Sequence, residues 1–199
     1  MFKVEKSIHR FLLNREIKNF FRDKQFEKVL ELCAGNSPCD KFINFKNKVS
    51  TDIKPLDNDI QYLDITKDFQ FDDRFDLIIC FEGFQYVKDW EKIISNSFKN
   101  LNKNGMLVFS CPSFTNNHQH EIVRYSKEGI IGLANNSEFK KHDIIPFGNI
   151  FTIYIDYIIR KYKIRPLRIL QYIAIYFIRL FRIKFNTSYS SGYFIILYK

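Results

Sequence analysis

"FDLIICFEGFQYVKDWEKIISNSFKNLNKNGMLVFSCPS", residues 75–113, sets the architecture. The segment "RFDLIICFE" (74–82) contains a wholly apolar core that suits a strand buried on both faces, as in the middle of a parallel sheet. Trp90, Ile94, Ser97/Phe98 and Leu101 recur at helical spacing and define the inner face of a helix. "NKNG" ends that helix, with Gly105 supplying the turn. "MLVFSCP" is then a second buried strand.

The same alternation extends to both sides. Upstream, Leu13, Ile17, Phe20 and Phe21 lie on one face of an N-terminal helix within residues 1–25, and "KVLELC" follows as a short apolar strand. Pro38 suits a first helical turn, so "CDKFINFKNK" (39–48) is expected to be a short helix. "VSTDI" (49–53) and "IQYLDI" (60–65) are two further strands, carrying Asp52 and Asp64 at their ends. Downstream, Ser126 is placed to cap a helix over "KEGIIGLANN". "KKHDIIPF" and "GYFIILYK" complete seven expected strands. The pattern is that of an α/β layered fold with helices on both faces of a mostly parallel sheet.

Between residues 149 and 185 the sequence changes character. Two helices are expected, separated at "IRP", because Pro166 lacks the amide that a continuous helix requires. In the second, Arg168, Gln171, Arg179 and Arg182 form one polar stripe among Ile, Leu, Phe and Tyr, an apolar face wide for a surface helix. The single expected domain, 1–199, thus carries a basic, apolar two-helix insertion before its last strand.

At 199 residues, 46% hydrophobic and 27% charged, the chain has the length and composition to close a core. Its formal net charge of +9 is unevenly placed: from Phe151 onward there are nine Lys/Arg and one acid, Asp156, while the first 150 residues are nearly balanced. Residues 1–10 hold three basic side chains with no apolar run behind them, so no secretory signal is expected. The longest uncharged apolar stretch, "ILQYIAIYFI" (169–178), is too short to span a bilayer. A cytoplasmic protein is expected, and its four cysteines, without CxxC spacing, should be free thiols.

In open α/β sheets, ligands bind beyond the carboxyl ends of the strands. Glu31, Gly35, Asp52 and Asp64 fall there. An acid about 20 residues beyond a glycine loop suits a ribose diol, because a carboxylate accepts hydrogen bonds from both hydroxyls. Asp52 has that spacing. His118, His120 and Glu121 follow the fifth strand, and a histidine titrating near neutrality is suited to accept a hydroxyl proton. The HxH spacing offers too few ligands for a metal site, and none is expected.

At these residues the sequence resembles class I S-adenosylmethionine-dependent methyltransferases, in particular the type 11 group. The family's first motif, hydrophobic-hydrophobic-acid-x-G-x-G-x-G, is here Val29-Leu30-Glu31-Leu32-Cys33-Ala34-Gly35-Asn36-Ser37, with only the middle glycine kept. Residues 75–113 resemble the family's fourth strand, following helix, "LKPGG" turn and fifth strand. "GNSP" and "HQHEIVRYSKEGI" resemble members encoded with surface-polysaccharide genes.

The resemblance implies a Rossmann-like sheet and S-adenosylmethionine as cofactor. By position, Glu31, Cys33 and Gly35 would form the loop near the methionine moiety. Asp52 with Ile53 would take the ribose, Asp64 with Ile65 the adenine, and Phe81 with Glu82 would floor the site. His118, His120 and Glu121 are the candidate bases, and Tyr86, Arg124 and Tyr125 the candidate substrate contacts. The acceptor implied is small or carrier-linked, such as a sugar hydroxyl in surface-glycan biosynthesis.

Cysteine and serine in place of glycine add side chains where the backbone must bend, so a non-catalytic binding module of the same fold stands as the alternative. An RNA methyltransferase is a further, weaker one. Strand four ends in "CFEG" and lacks the Asn/Asp-Pro-Pro-aromatic run of base-amine enzymes, and the basic residues form no aromatic-interleaved RNA module. The sequence therefore argues against a nucleic-acid partner. The 149–185 helices have three possible roles: cover for the sheet, a homodimer contact, or peripheral contact with the inner membrane surface.

Overall fold

The computed structural model describes residues 7–35, 40–113, 120–162, 167–181, 183, 185 and 189–199, without the side chains of residues 40, 167 and 168. In chain order the elements are α1 (Ile8–Phe21), β1 (Gln25–Glu31), a 3-10 turn (Asp40–Phe42), β2 (Asn44–Asp52), β3 (Ile60–Tyr62) and β4 (Phe75–Phe81). A second 3-10 turn (Phe84–Tyr86) leads to α2 (Trp90–Asn100) and β5 (Leu101–Pro112). Then come α3 (Lys127–Asn135), β6 (Lys141–Phe147), α4 (Ile150–Tyr162), α5 (Leu167–Leu180) and β7 (Gly192–Tyr198). The seven strands form one sheet in the order β3-β2-β1-β4-β5-β7-β6. β7 runs antiparallel to β5 and β6, and the remaining pairings are parallel.

Strand alternation assigns each face its own core. Leu30, Ile78, Leu107 and Leu197 point toward α2 and α3, where Trp90, Ile93, Ile94 and Ile130 close over them. Val29, Leu77, Ile79, Val108, Phe194 and Ile196 point the other way, toward α1. Ser7 caps α1 by accepting from the Arg10 amide at 3.1 Å, and Ile8, Phe11, Leu12, Ile17 and Phe21 of that helix are buried. The two-helix pair α4–α5 packs outside, chiefly through α1.

Three local expectations are corrected. The segment 39–48, expected to be helical, is not an α-helix over its described residues, 40–48: a single 3-10 turn gives way to β2, which begins at Asn44. Pairing decides this, since Phe45 lies in register with Phe26, and Lys46 and Lys48 reach Glu27 and Glu31 of β1 at 2.8 and 3.0 Å. Tertiary partners override a weak local helix preference. The third strand stops at Tyr62, so Asp64 sits in the turn beyond it. Gly105 does not supply the reversal after α2. β5 already starts at Leu101, and Asn104 takes the left-handed backbone, φ +68°. Gly105 is required for a different reason: a Cβ there would lie 3.0–3.1 Å from the Asn102 and Phe75 carbonyl oxygens, beside the irregular register between Phe75 and Leu77.

Candidate functional site

Parallel strands β1 to β5 end on one rim, and the rim is organised by side chains reaching between neighbouring ends. Glu31, buried at the end of β1, accepts from Lys48 Nζ at 3.0 Å and Ser50 Oγ at 3.1 Å, both on β2. Its carbonyl accepts from Thr51 Oγ1 at 2.9 Å. The Glu31 carboxylate therefore ties β1 to β2 and has its charge matched by a lysine.

Beyond Glu31 the chain bends sharply. Cys33 has φ +53° and Gly35 φ +51°. Gly35 satisfies this at no steric cost, but Cys33 holds a left-handed conformation that disfavours L-residues by about 1–2 kcal/mol. The loop thus keeps the bend that a glycine would ease, with cysteine in it. Two bonds to the end of β2 fix its course: the Ala34 amide donates to the Thr51 carbonyl, and the Gly35 amide donates to Asp52 Oδ2, both at 2.9 Å. The other Asp52 oxygen accepts from the Lys54 amide at 2.8 Å. Among the described residues, a Cβ at Gly35 would meet no atom within 4 Å, so the backbone here leaves room beside it. Ile53, next to Asp52, is 54% exposed.

Asp64 accepts from the Thr66 hydroxyl and amide at 2.6 and 3.0 Å. Thr66, chiefly through its hydroxyl, with Lys67 nearby, holds this carboxyl below its ordinary value. Ile65, by contrast, is buried in the core beneath α2. Asn96 and Asn100 of α2 donate to the Lys67 and Phe69 carbonyls, both at 3.1 Å, and so hold the segment after β3 in place.

On the far side of the rim, Phe81 stacks on Phe194, and Glu82 leaves β4 with φ +60°. Glu82 is bound on both oxygens, to Ser110 Oγ at 3.1 Å and His9 Nε2 at 3.2 Å. Burial pushes this carboxyl up, but His9, Arg10 and Ser110 outweigh it and hold it below its ordinary value. His9 and Ser110 were absent from the sequence expectations. His9 meets its partner only through the fold, whereas a small polar residue at the end of the buried strand "MLVFSCP" was a legible signal for Ser110.

The expected acceptor residues divide. His118 lies outside the described residues. His120 is exposed with φ +76°. Glu121 is paired with Arg124, which also donates to the Ser113 carbonyl at 2.8 Å and so anchors to the end of β5. Tyr125 packs against Trp90 with its ring tilted by 52° and ring centres 4.5 Å apart, while Tyr86 is 42% exposed. The Ile122 and Val123 amides donate to the Gln85 carbonyl, which brings this segment down beside the turn after β4. The rim therefore gathers Glu31, Cys33, Gly35, Asp52 and Ile53 on one side, and Glu82, Tyr86, Glu121 and Arg124 on the other. Among the described residues, no group of three or more His, Cys, Asp or Glu side chains converges as a metal site would require. A groove of about 990 Å³ lined by Phe11, Arg15, Lys18, Ile178 and Arg179 lies along α1 and α5, and none of the rim carboxylates borders it.

The rim residues could hold an adenosyl group with an amino-acid tail. Asp52 keeps lone pairs for a diol, Ile53 offers an apolar edge, and Gly35 leaves room for close approach.

Solved structures share this fold. Phosphoethanolamine N-methyltransferase 2 from Haemonchus contortus, in complex with S-adenosyl-L-methionine, aligns over 94% of this chain at 12% identity and TM-score 0.60. This chain spans about half, 52%, of that protein. N-methyltransferase NodS from Bradyrhizobium japonicum WM9, in complex with S-adenosyl-l-homocysteine, aligns over 100% of this chain and 91% of its own at 15% identity and TM-score 0.59. A SAM-dependent methyltransferase from Archaeoglobus fulgidus covers 94% and 93% at 14% identity and TM-score 0.57. No curated protein matches this chain. The model of one family, described as "Methyltransferase domain", matches residues 6–141, more than half of the sequence and all of β1 to β5. By that match the chain belongs to the methyltransferase-domain family.

Proposed function

We propose that this protein transfers a methyl group from S-adenosylmethionine to a small or carrier-linked acceptor, a sugar hydroxyl of a surface glycan. The observation that carries the cofactor half is Asp52: it holds the Gly35 amide at 2.9 Å while standing at the end of β2, so one carboxylate shapes the loop and borders the space beside it. S-adenosylmethionine, when bound, supplies a methyl group already activated on its sulfonium, so the chain's task is alignment and proton removal.

In this reading Asp52 takes the ribose hydroxyls and Asp64 the adenine amine. Glu31 acts through Lys48 and Ser50 to hold the loop. A hydroxyl acceptor loses its proton as the methyl group arrives, which requires a base. His118, His120 and Glu121 are the residues for it, and the Glu121–Arg124 pair leaves the two histidines as the stronger choices. The glycan acceptor and the type 11 likeness rest on the "GNSP" and "HQHEIVRYSKEGI" segments. The non-catalytic module remains the competing reading because Cys33 stands in a strained loop.

Calorimetric titration with S-adenosylmethionine separates the two. Saturable binding is expected, weakened about 100-fold in Asp52→Ala by the loss of charge-assisted hydrogen bonds. Tritiated methyl transfer to cell-envelope extracts should follow the same order. Absent binding by the wild type would assign the chain to the non-catalytic class, and equal binding by both proteins would remove Asp52 from the site.

A further inference from the structure

The α4–α5 pair is attached to the fold by few residues. Among the described side chains of α5, Gln171, Ile175 and Ile178 are buried, a single narrow stripe at i, i+4 and i+7. Thr152 is the buried residue of α4. The outer flanks carry Phe151, Tyr154, Ile173, Tyr176, Phe177 and Leu180, all exposed. On α5 the exposed rings touch one another, Tyr176 on Phe177 and Phe177 on Phe181, and exposed apolar side chains gathered on one helix pair mark a contact with something else.

Charge identifies the partner. From Phe151 onward the sequence holds nine Lys/Arg and a single acid, Asp156. Asp156 is turned inward: its two oxygens accept from the Ile8 and His9 amides at 2.9 Å and cap the first turn of α1. The one negative charge of the region is thus spent inside the protein, and its other charged residues are cations. Lys161 sits 5.5 Å from both the Tyr157 and Tyr162 ring centres, a cation beside aromatics as at membrane interfaces. A second copy packed by two-fold symmetry would set cations against cations. RNA would match the charge but leave the aliphatic and aromatic flank without a partner.

Among the described residues no helix is long and apolar enough to cross a membrane. The 14 residues of α5 extend about 21 Å, short of a bilayer core of about 30 Å. The pair is suited to lie in the interface. Its position also matters. α4 leaves β6 where Phe147, Gly192 and Pro112 align, and the Ser113 amide donates to the Ser191 carbonyl, so the pair springs from the same rim as the candidate site.

We infer that α4 and α5 dock the protein, peripherally, on an anionic lipid surface, and so present the rim to acceptors carried on lipid. The docking stands on the surface itself; its purpose rests on the carrier-linked acceptor proposed above.

The full chain should co-sediment with mixed phosphatidylcholine–phosphatidylglycerol vesicles about tenfold more than with phosphatidylcholine alone. Two variants should each lower that partition about tenfold: the triple change Phe151→Ser, Tyr154→Ser, Phe177→Ser, and the charge reversal Arg160→Glu, Lys161→Glu. Far-UV circular dichroism and S-adenosylmethionine calorimetry should be unaltered in both. Three results would overturn the inference: equal partition onto both vesicle types, loss of vesicle binding in the presence of RNA with retention of an RNA complex, or a lipid-free dimer that the triple variant dissociates. Vesicle binding with no cofactor binding would leave the docking intact and remove the enzymatic reading, and the reverse would do the opposite.

Discussion

The two faces of the sheet are closed by different means. Over one, α2 and α3 are sealed by aromatic packing: Trp90 is fully enclosed, edge-on to Phe84 and Phe109, with its indole N–H donating to the Phe84 carbonyl at 2.7 Å. Over the other, α1 buries Ile8, Phe11, Leu12, Ile17 and Phe21 and is in addition fastened at its first turn by polar contacts, Asp156 from α4 and Glu82 just beyond β4, which pairs with His9. Outside it lies a helix pair that leaves much of its apolar surface uncovered. The first layer meets its stability requirement internally. The second has a polar fastening next to the site and an outer surface suited to a partner, so the two should respond differently to substitution.

The largest effect is expected at the sealed face. Trp90→Ala removes a buried indole and should cost about 3–5 kcal/mol in urea unfolding. Phe177→Ser, on the exposed flank of α5, should change stability by no more than about 0.5 kcal/mol. A comparable loss at Phe177 would mean that α5 is covered in the folded monomer, and the contrast between the layers would fail.

Next comes the polar fastening, which pH should reveal. Glu82 has a folded pKa below its ordinary value, so its contribution is complete above the unfolded carboxyl's pKa of about 4.3 and disappears as pH falls through the folded value. Asp156 acts in the opposite sense. Burial raises it despite the Ile8 and His9 amides, so its ionisation lowers stability as pH rises through its folded value. In Glu82→Gln the stability at pH 7 should fall by about 2 kcal/mol, the scale of charge-assisted hydrogen bonds, and this difference should shrink as pH falls below the unfolded carboxyl's range and through the folded value. A constant difference across that range would show that Glu82 contributes by shape and not by charge.

How much of this was legible in the sequence follows the range of the interactions. β4, the body of α2, the second half of β5 and the Ser126 cap of α3 carry patterns within a few residues that placed them, while the junction of α2 and β5, read as helix and turn through Gly105, was set by pairing of Leu101 with Phe75. β2 is set by pairing with β1, which no local pattern encodes, so its first half read as helix. The acids of the rim were found because each stands at or just past a strand end. Their partners were not: Lys48 for Glu31, the Gly35 amide for Asp52 and His9 for Glu82 come from other segments. The wide apolar face of α5 was visible in the sequence, but that Asp156 turns inward was not, and this changes the charge of the outer surface.

The smallest effect is expected in the loop after β1, at Cys33, which packs against the sealed face. Its left-handed backbone costs about 1–2 kcal/mol, and glycine would remove that cost. Glycine would also add about 0.5–1 kcal/mol of chain entropy to the unfolded state. The thiol, moreover, packs toward Gly83, where an added Cβ would lie 2.9 Å from Cys33 Cβ and 2.6 Å from Cys80 Sγ. These terms nearly cancel, so Cys33→Gly should shift stability by less than about 0.5 kcal/mol. Cys33→Val, β-branched at a positive φ, should lose about 2 kcal/mol or more. If Cys33→Gly instead destabilised as much as Cys33→Val, packing of the thiol against Gly83 and Cys80 would be what holds the loop. The bend would then be a product of the sealed face rather than a conformation kept for the rim.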